Sequence, residues 1–145
     1  MKPHGTLGFE IRELSILIGR YIEKQGPDSE LKKMRGPQAW ALGFLSENLD
    51  REIYQKDLEK ELSIRKPTAS RLVKRMERNG FITIVPSAKD KRFKRLIVTE
   101  LAMENMKKVE QFVTNLEERL TQNISEEELQ SFIHTIEKLK KNIQS

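Results

Sequence analysis

The 145-residue chain contains no cysteine, which excludes disulfides, thiolate metal sites and cysteine redox chemistry. No run approaches the ~18 consecutive apolar residues of a membrane span, and the opening MKPHGTLGFEI lacks the apolar core of a secretory signal. The expectation is a soluble, cytoplasmic protein. Histidine occurs only as His4 and His134, far apart and without an HxxxH spacing, so a zinc site is not expected. A phosphate-cradling glycine loop, an HExxH and a Ser-His-Asp set are missing too, and neither catalysis nor a resident cofactor is expected. Internal repeats and low-complexity tracts are absent. Apolar residues are few, 37% against 34% charged, which suits a small, elongated, helix-rich protein with apolar surface left for a partner subunit.

What is abundant is positive charge in one place. Residues 65–95 hold eleven Lys and Arg against two acids, a local charge of +9, whereas the whole chain is +5 and the remainder therefore −4. The clustering argues more strongly for a polyanionic partner than the pI of about 9.5 does. The charge falls on a helix-like segment, RKPTASRLVKRMERNG, and then on a strand, a charged loop and a second strand: FITIV, PSAKDKRFKR, LIVT. A basic helix beside a basic hairpin neutralises duplex phosphates while placing one helix in a groove.

Periodicity organises the rest. Leu7, Ile11, Leu14, Ile18, Tyr21 and Ile22 predict a helix over 7–25, stopped by Gly26-Pro27. A second helix starts at Pro37 and runs to about Leu49, with Ala41, Phe44, Leu45 and Asn48 around Trp40. A third covers 54–62 with Leu58 and Leu62 inward. After the turn Ser63-Ile64-Arg65-Lys66, a fourth opens at Pro67, burying Ala69, Leu72, Val73 and Met76 and stopping at Asn79-Gly80. Two short helices across a tight turn, the second basic outside, make a helix-turn-helix. Residues 81–85 and 96–99 predict a hairpin. Thr99 is placed to cap a long helix to about Thr121, and Ser125 with Glu128 forms a capping box for the last helix, stapled by Ile124 and Leu129.

The fold class expected is mainly α with a small β-hairpin wing: a winged helix-turn-helix flanked by N- and C-terminal dimerisation helices. The boundaries are 1–35 for the N-terminal helix of the dimerisation lobe, 36–99 for the DNA-binding lobe and 100–145 for two long C-terminal helices. The terminal apolar stripes flank a reader that is already a complete small fold, so pairing with a second copy is expected. A symmetric dimer would offer two reading helices to successive major-groove faces, ~34 Å apart.

The segment QKDLEKELSIRKPTASRLVKRMERNGFI, the wing residues Asp90-Lys91-Arg92 and the pair Val98-Thr99 resemble the multiple-antibiotic-resistance regulator (MarR) family of bacterial transcription factors. Ile84, Ala102 and Tyr54 depart from its pattern, Tyr54 standing where a small Ser or Thr helix cap is usual. The resemblance implies a homodimer, a pseudo-palindromic operator and, most often, repression relieved by a small ligand. It also implies that Arg92 enters the minor groove with Asp90 fixing its guanidinium, and that an effector pocket lies at the junction of reader and dimer lobe.

On the fourth helix Thr68, Ser70, Arg71, Lys74 and Arg75 can reach DNA, with Ser70 and Arg71 expected to read bases and Lys74 and Arg75 to hold phosphate. Arg65 and Lys66 are placed as phosphate clamps at the turn. Lys89, Lys91, Lys94 and Arg95 add salt-dependent affinity from the wing. The plainer alternative for all of these is a solvated basic face. Tyr21, Arg35, Trp40 and Phe44 are the candidates for the effector pocket, Arg35 to pair an acidic ligand, although as residues Trp40 and Phe44 read first as ordinary core. The competing function is a helical protein-interaction module with only non-specific DNA affinity.

Overall fold

The computed structural model describes residues 1–25 and 36–144. In these, six helices and one hairpin follow in the order α1 (Leu7–Lys24), α2 (Pro37–Glu47), α3 (Gln55–Glu61), α4 (Lys66–Arg78), β1 (Ile82–Pro86), β2 (Lys94–Val98), α5 (Glu100–Leu120) and α6 (Glu126–Gln144). The main-α winged-helix class read from the sequence is the observed one.

Local chemistry sets the breaks between elements. The C-terminus of α4 is a full Schellman closure. Gly80 takes φ +79, its N–H reaches the Glu77 carbonyl at 3.0 Å, and Phe81 N–H reaches the Met76 carbonyl at 2.9 Å. Phe81 and Met76, the apolar pair that such a closure brings together, are both fully buried. The end of α3 repeats the pattern less favourably. Ile64 N–H bonds the Glu59 carbonyl at 3.0 Å, but the left-handed residue is Ser63 (φ 53), which lacks glycine's freedom. At the start of α5 the Thr99 hydroxyl accepts from Ala102 N–H (3.2 Å) and donates to the Gly80 carbonyl (2.6 Å), tying the helix start to the end of α4. The Ser125 box is present: Glu128 N–H donates to Ser125 Oγ at 3.1 Å.

The core lies between α2, α3, α4, the hairpin and the first half of α5. Leu42, Leu58, Met76 and Phe81 are 0% exposed and form its centre. Each such side chain contributes about 1.5–3 kcal/mol by leaving water. β1 and β2 pair antiparallel with Ile84 opposite Leu96, and a single bridge between Tyr54 and Arg95 adds the segment before α3 as a third short rung. Leu96 N–H donates to the Ile53 carbonyl at 2.9 Å, so the hairpin is fastened to the helical body at its base.

Two details depart from the sequence expectation. Helix α4 begins at Lys66, with Arg65 in the cap position and Pro67 inside the first turn. Lys94 and Arg95, expected in the charged loop, lie on β2 opposite Pro86 and Val85. Helices α1 and α6 bury no residue, and α5 leaves the core after Val109. No helix among the described residues is long and apolar enough to cross a membrane.

Candidate nucleic-acid interface

Helix α4 separates its faces sharply. Ala69, Leu72, Val73 and Met76 are buried, and Thr68, Arg71, Lys74 and Arg75 are exposed, together with Arg65 and Lys66 at its start. The apolar stripe holds the helix against the core and so fixes where the cations point. Ser70 is half-buried, which leaves Arg71 as the more accessible of the two expected base readers.

The wing presents Lys89, Lys91, Arg92 and Lys94, all exposed. Its arginine is held at a fixed angle. Arg92 Nη2 donates to Asp90 Oδ2 at 2.7 Å, Nε lies 3.1 Å from both carboxylate oxygens, and Arg92 N–H donates to Oδ1 at 3.0 Å. The Arg92 side chain is nonetheless 85% exposed. A charge-assisted fork of this kind orders the guanidinium without hiding it, and its remaining N–H groups stay free to donate outward. The Arg92 side chain, and then its backbone N–H, hold the Asp90 carboxyl below the ordinary carboxylate range. The same pairing pushes the guanidinium further up.

Behind the wing lies a polar cluster that the sequence did not reveal. Glu52, in the segment before α3, accepts from Tyr54 Oη (3.1 Å), Ser87 Oγ (3.0 Å) and Ala88 N–H (3.1 Å). Ser87 is 2% exposed, and its Oγ accepts from Lys89 N–H at 3.0 Å and Asp90 N–H at 3.3 Å. Partial loss of water raises the Glu52 carboxyl. The bonds from Ala88, Ser87 and Tyr54, with the charge of Arg95, outweigh that and leave it below its ordinary value. Nearby, Lys56 Nζ sits 5.2 Å from the Phe93 ring and 5.7 Å from that of Tyr54. The partners of Glu52 lie up to 36 residues away, so no local pattern could signal them.

Of the candidate effector residues the structure brings together Trp40 and Phe44. Trp40 is 67% exposed and is therefore not core, contrary to the reading that favoured core for it. Helix α2, PQAWALGFLSE, is apolar nearly all round, so its spacing cannot choose which side faces inward; Gln38, Ala41, Leu42 and Leu45 are the buried set. Trp40 and Phe44 instead line an open depression of about 900 Å³ with Glu47, Asn48, Leu62 and Lys140 among others. Tyr21 is not among its lining residues and lies against Arg119 of α5, 6.0 Å from ring centre to guanidinium. Arg35 falls outside the described residues. His4, at which the sequence spacing gives no zinc site, has Glu10 and Glu13 beside it with one ligand atom of each within 4.8 Å; His4 and Glu10 are exposed and Glu13 half-buried.

A family model described as MarR family matches residues 33–92. Over nearly its whole length the chain is similar to solved structures of PefR. It is 34% identical to the heme sensor protein PefR from Streptococcus agalactiae in complex with heme, covering 95% of this chain and 94% of that one, with a TM-score of 0.73. It is 35% identical to apo (heme-free) PefR, covering 92% and 96%, with a TM-score of 0.75. The S. aureus MepR–DNA complex shares the fold at 22% identity, covering 95% and 96%, with a TM-score of 0.82.

Proposed function

This chain belongs to the MarR family of winged-helix transcriptional regulators, and we propose that it acts as a homodimeric, sequence-specific repressor of a pseudo-palindromic operator, released by a small ligand. The observation that carries the reading is the wing arginine, ordered by Asp90 yet 85% exposed, adjoining a helix whose outer face carries Arg71, Lys74 and Arg75. Arginine is favoured in a narrow, electronegative minor groove. A guanidinium already fixed in direction loses less rotational freedom on entering one. Arg71 reads base edges in the major groove, and Lys74, Arg75, Arg65 and Lys66 neutralise phosphate.

The terminal helices support the dimer. Leu7, Ile11, Leu14 and Leu17 on α1 and Phe132, Ile133 and Ile143 on α6 are between 47% and 86% exposed. Apolar stripes of that extent on helices with no buried residue call for a covering surface, and a second copy supplies the same stripes. Two-fold symmetry then sets the two α4 helices on successive major-groove faces. Selection from a random duplex library at near-physiological salt tests the reading. A two-fold-symmetric motif with half-sites about 10 base pairs apart is the expected result. Salt-sensitive retention without a motif would reduce the chain to a basic surface and favour a helical interaction module.

A ligand releases the dimer from DNA by binding better to a form whose readers are wrongly spaced. Heme is the first to test, because the PefR structures similar to this chain include heme complexes. Heme iron takes imidazole among other protein donors, and both imidazoles of this chain, His4 and His134, are exposed. Hemin titration of the wild type and of His4→Ala and His134→Ala distinguishes imidazole ligation from none. A spectrum of free heme throughout would leave the depression at Trp40 and Phe44 as the effector site to screen.

A further inference from the structure

The carboxylate of Glu52 lies behind the wing, and a negative charge there opposes DNA binding by repelling phosphate. Its hydrogen bonds give it a different role. Tyr54 Oη, Ser87 Oγ and Ala88 N–H all donate to it. An ionised carboxylate only accepts, so three donors converge on it without conflict; an amide in its place would turn an N–H₂ towards one of them. The single hydroxyl proton of Ser87 goes to Glu52, which leaves the oxygen's lone pairs for Lys89 N–H and Asp90 N–H. Asp90 in turn fixes Arg92 through its side chain and its backbone N–H. The bonds therefore run without a break from the helical body to the wing tip: Glu52, Ser87, Asp90, Arg92. The burial of Ser87, 2% exposed, shields the middle link from water.

We propose that Glu52 is a positioning residue for DNA readout, its carboxylate clasping Tyr54, Ser87 and Ala88 so that the wing holds Arg92 at one angle to the duplex. The proposal rests on the reading of Arg92 as a groove contact, and it makes Tyr54, the departure at the helix cap, part of the clasp. It also inverts a simple electrostatic expectation. If Glu52 were only a surface charge, Glu52→Gln would bind DNA more tightly.

The test uses the full-length protein and two readouts. In the free protein, ¹⁵N heteronuclear NOEs of the Ala88–Arg92 amides fall in Glu52→Gln, while those of α4 stay at wild-type values. On the selected site, Glu52→Gln weakens binding by about tenfold, the order expected for losing a charged hydrogen-bond acceptor. The double variant with Arg92→Ala then loses little more than Arg92→Ala alone. Ser87→Ala, which cuts the middle link, reproduces both effects and serves if Glu52→Gln fails to fold. Unchanged wing NOEs, tighter binding by Glu52→Gln, or losses that simply add to those of Arg92→Ala would each overturn the proposal. If the wild type selects no motif, the DNA reading fails separately, and the NOE comparison still decides whether Glu52 orders the wing.

Discussion

Helices α4 and α1 carry apolar stripes of similar regularity, yet α4 buries four residues and α1 none. The stripe of α4 meets α2, α3 and β1 within the same chain. Among the described residues nothing buries that of α1, and α6 repeats the situation at the other end. An amphipathic pattern thus specifies that a face must be covered, without specifying by what. Here the reader is closed on itself, and the terminal helices are left with uncovered apolar faces, which the proposed dimer would cover.

Removing the reader's centre is expected to have the largest effect. Phe81→Ala deletes a fully buried ring and lowers stability by about 3–5 kcal/mol in urea or thermal unfolding. Next comes the open face. Leu14, 47% exposed on α1, lies in the interface of the proposed dimer, and Leu14→Glu places a charge there. Self-association weakens by roughly a hundredfold in sedimentation experiments, while a cooperative unfolding transition persists. An unchanged dimer would make α1 ordinary surface and remove the contrast between the two regions.

The comparison is sharpened within the reader by two cations of the same helix. Arg71→Ala should cost about 1–3 kcal/mol more on the selected site than on random duplex. Lys74→Ala should weaken both alike and lower the salt slope by about 1. Equal behaviour would reduce both to phosphate contacts. The smallest effect concerns the turn between α3 and α4. Ser63 has φ 53, and Ser63→Gly relieves that strain at some entropic cost, for a net gain of about 0.5–1 kcal/mol in denaturant unfolding. A loss would show that the side chain of Ser63, a residue lining the depression beside Trp40, makes a contribution of its own.

The features legible in the sequence share a short range. The buried stripe of α4, the glycine closure at Gly80, the Thr99 cap and the Ser125–Glu128 box each join residues no more than seven apart. Backbone geometry alone brings such residues together, so spacing is enough to find them. The exposure of Trp40 is not legible in the same way, because α2 is apolar on most sides, which leaves periodicity without a preferred face.

The sequence by itself thus determined the order of elements, most helix caps and the positive reader, because these depend on local periods and caps, while the pairing of Arg92 with Asp90 came from the family resemblance. Only the tertiary structure decided which side of α2 faces the core, which apolar stripes stay uncovered, and that Glu52 meets Ser87 and Ala88 across 35 and 36 residues. Contacts at that separation are set by how helices and hairpin pack around Leu42, Leu58, Met76 and Phe81. Packing depends on the shape of the assembled core, which no single stretch of the chain encodes.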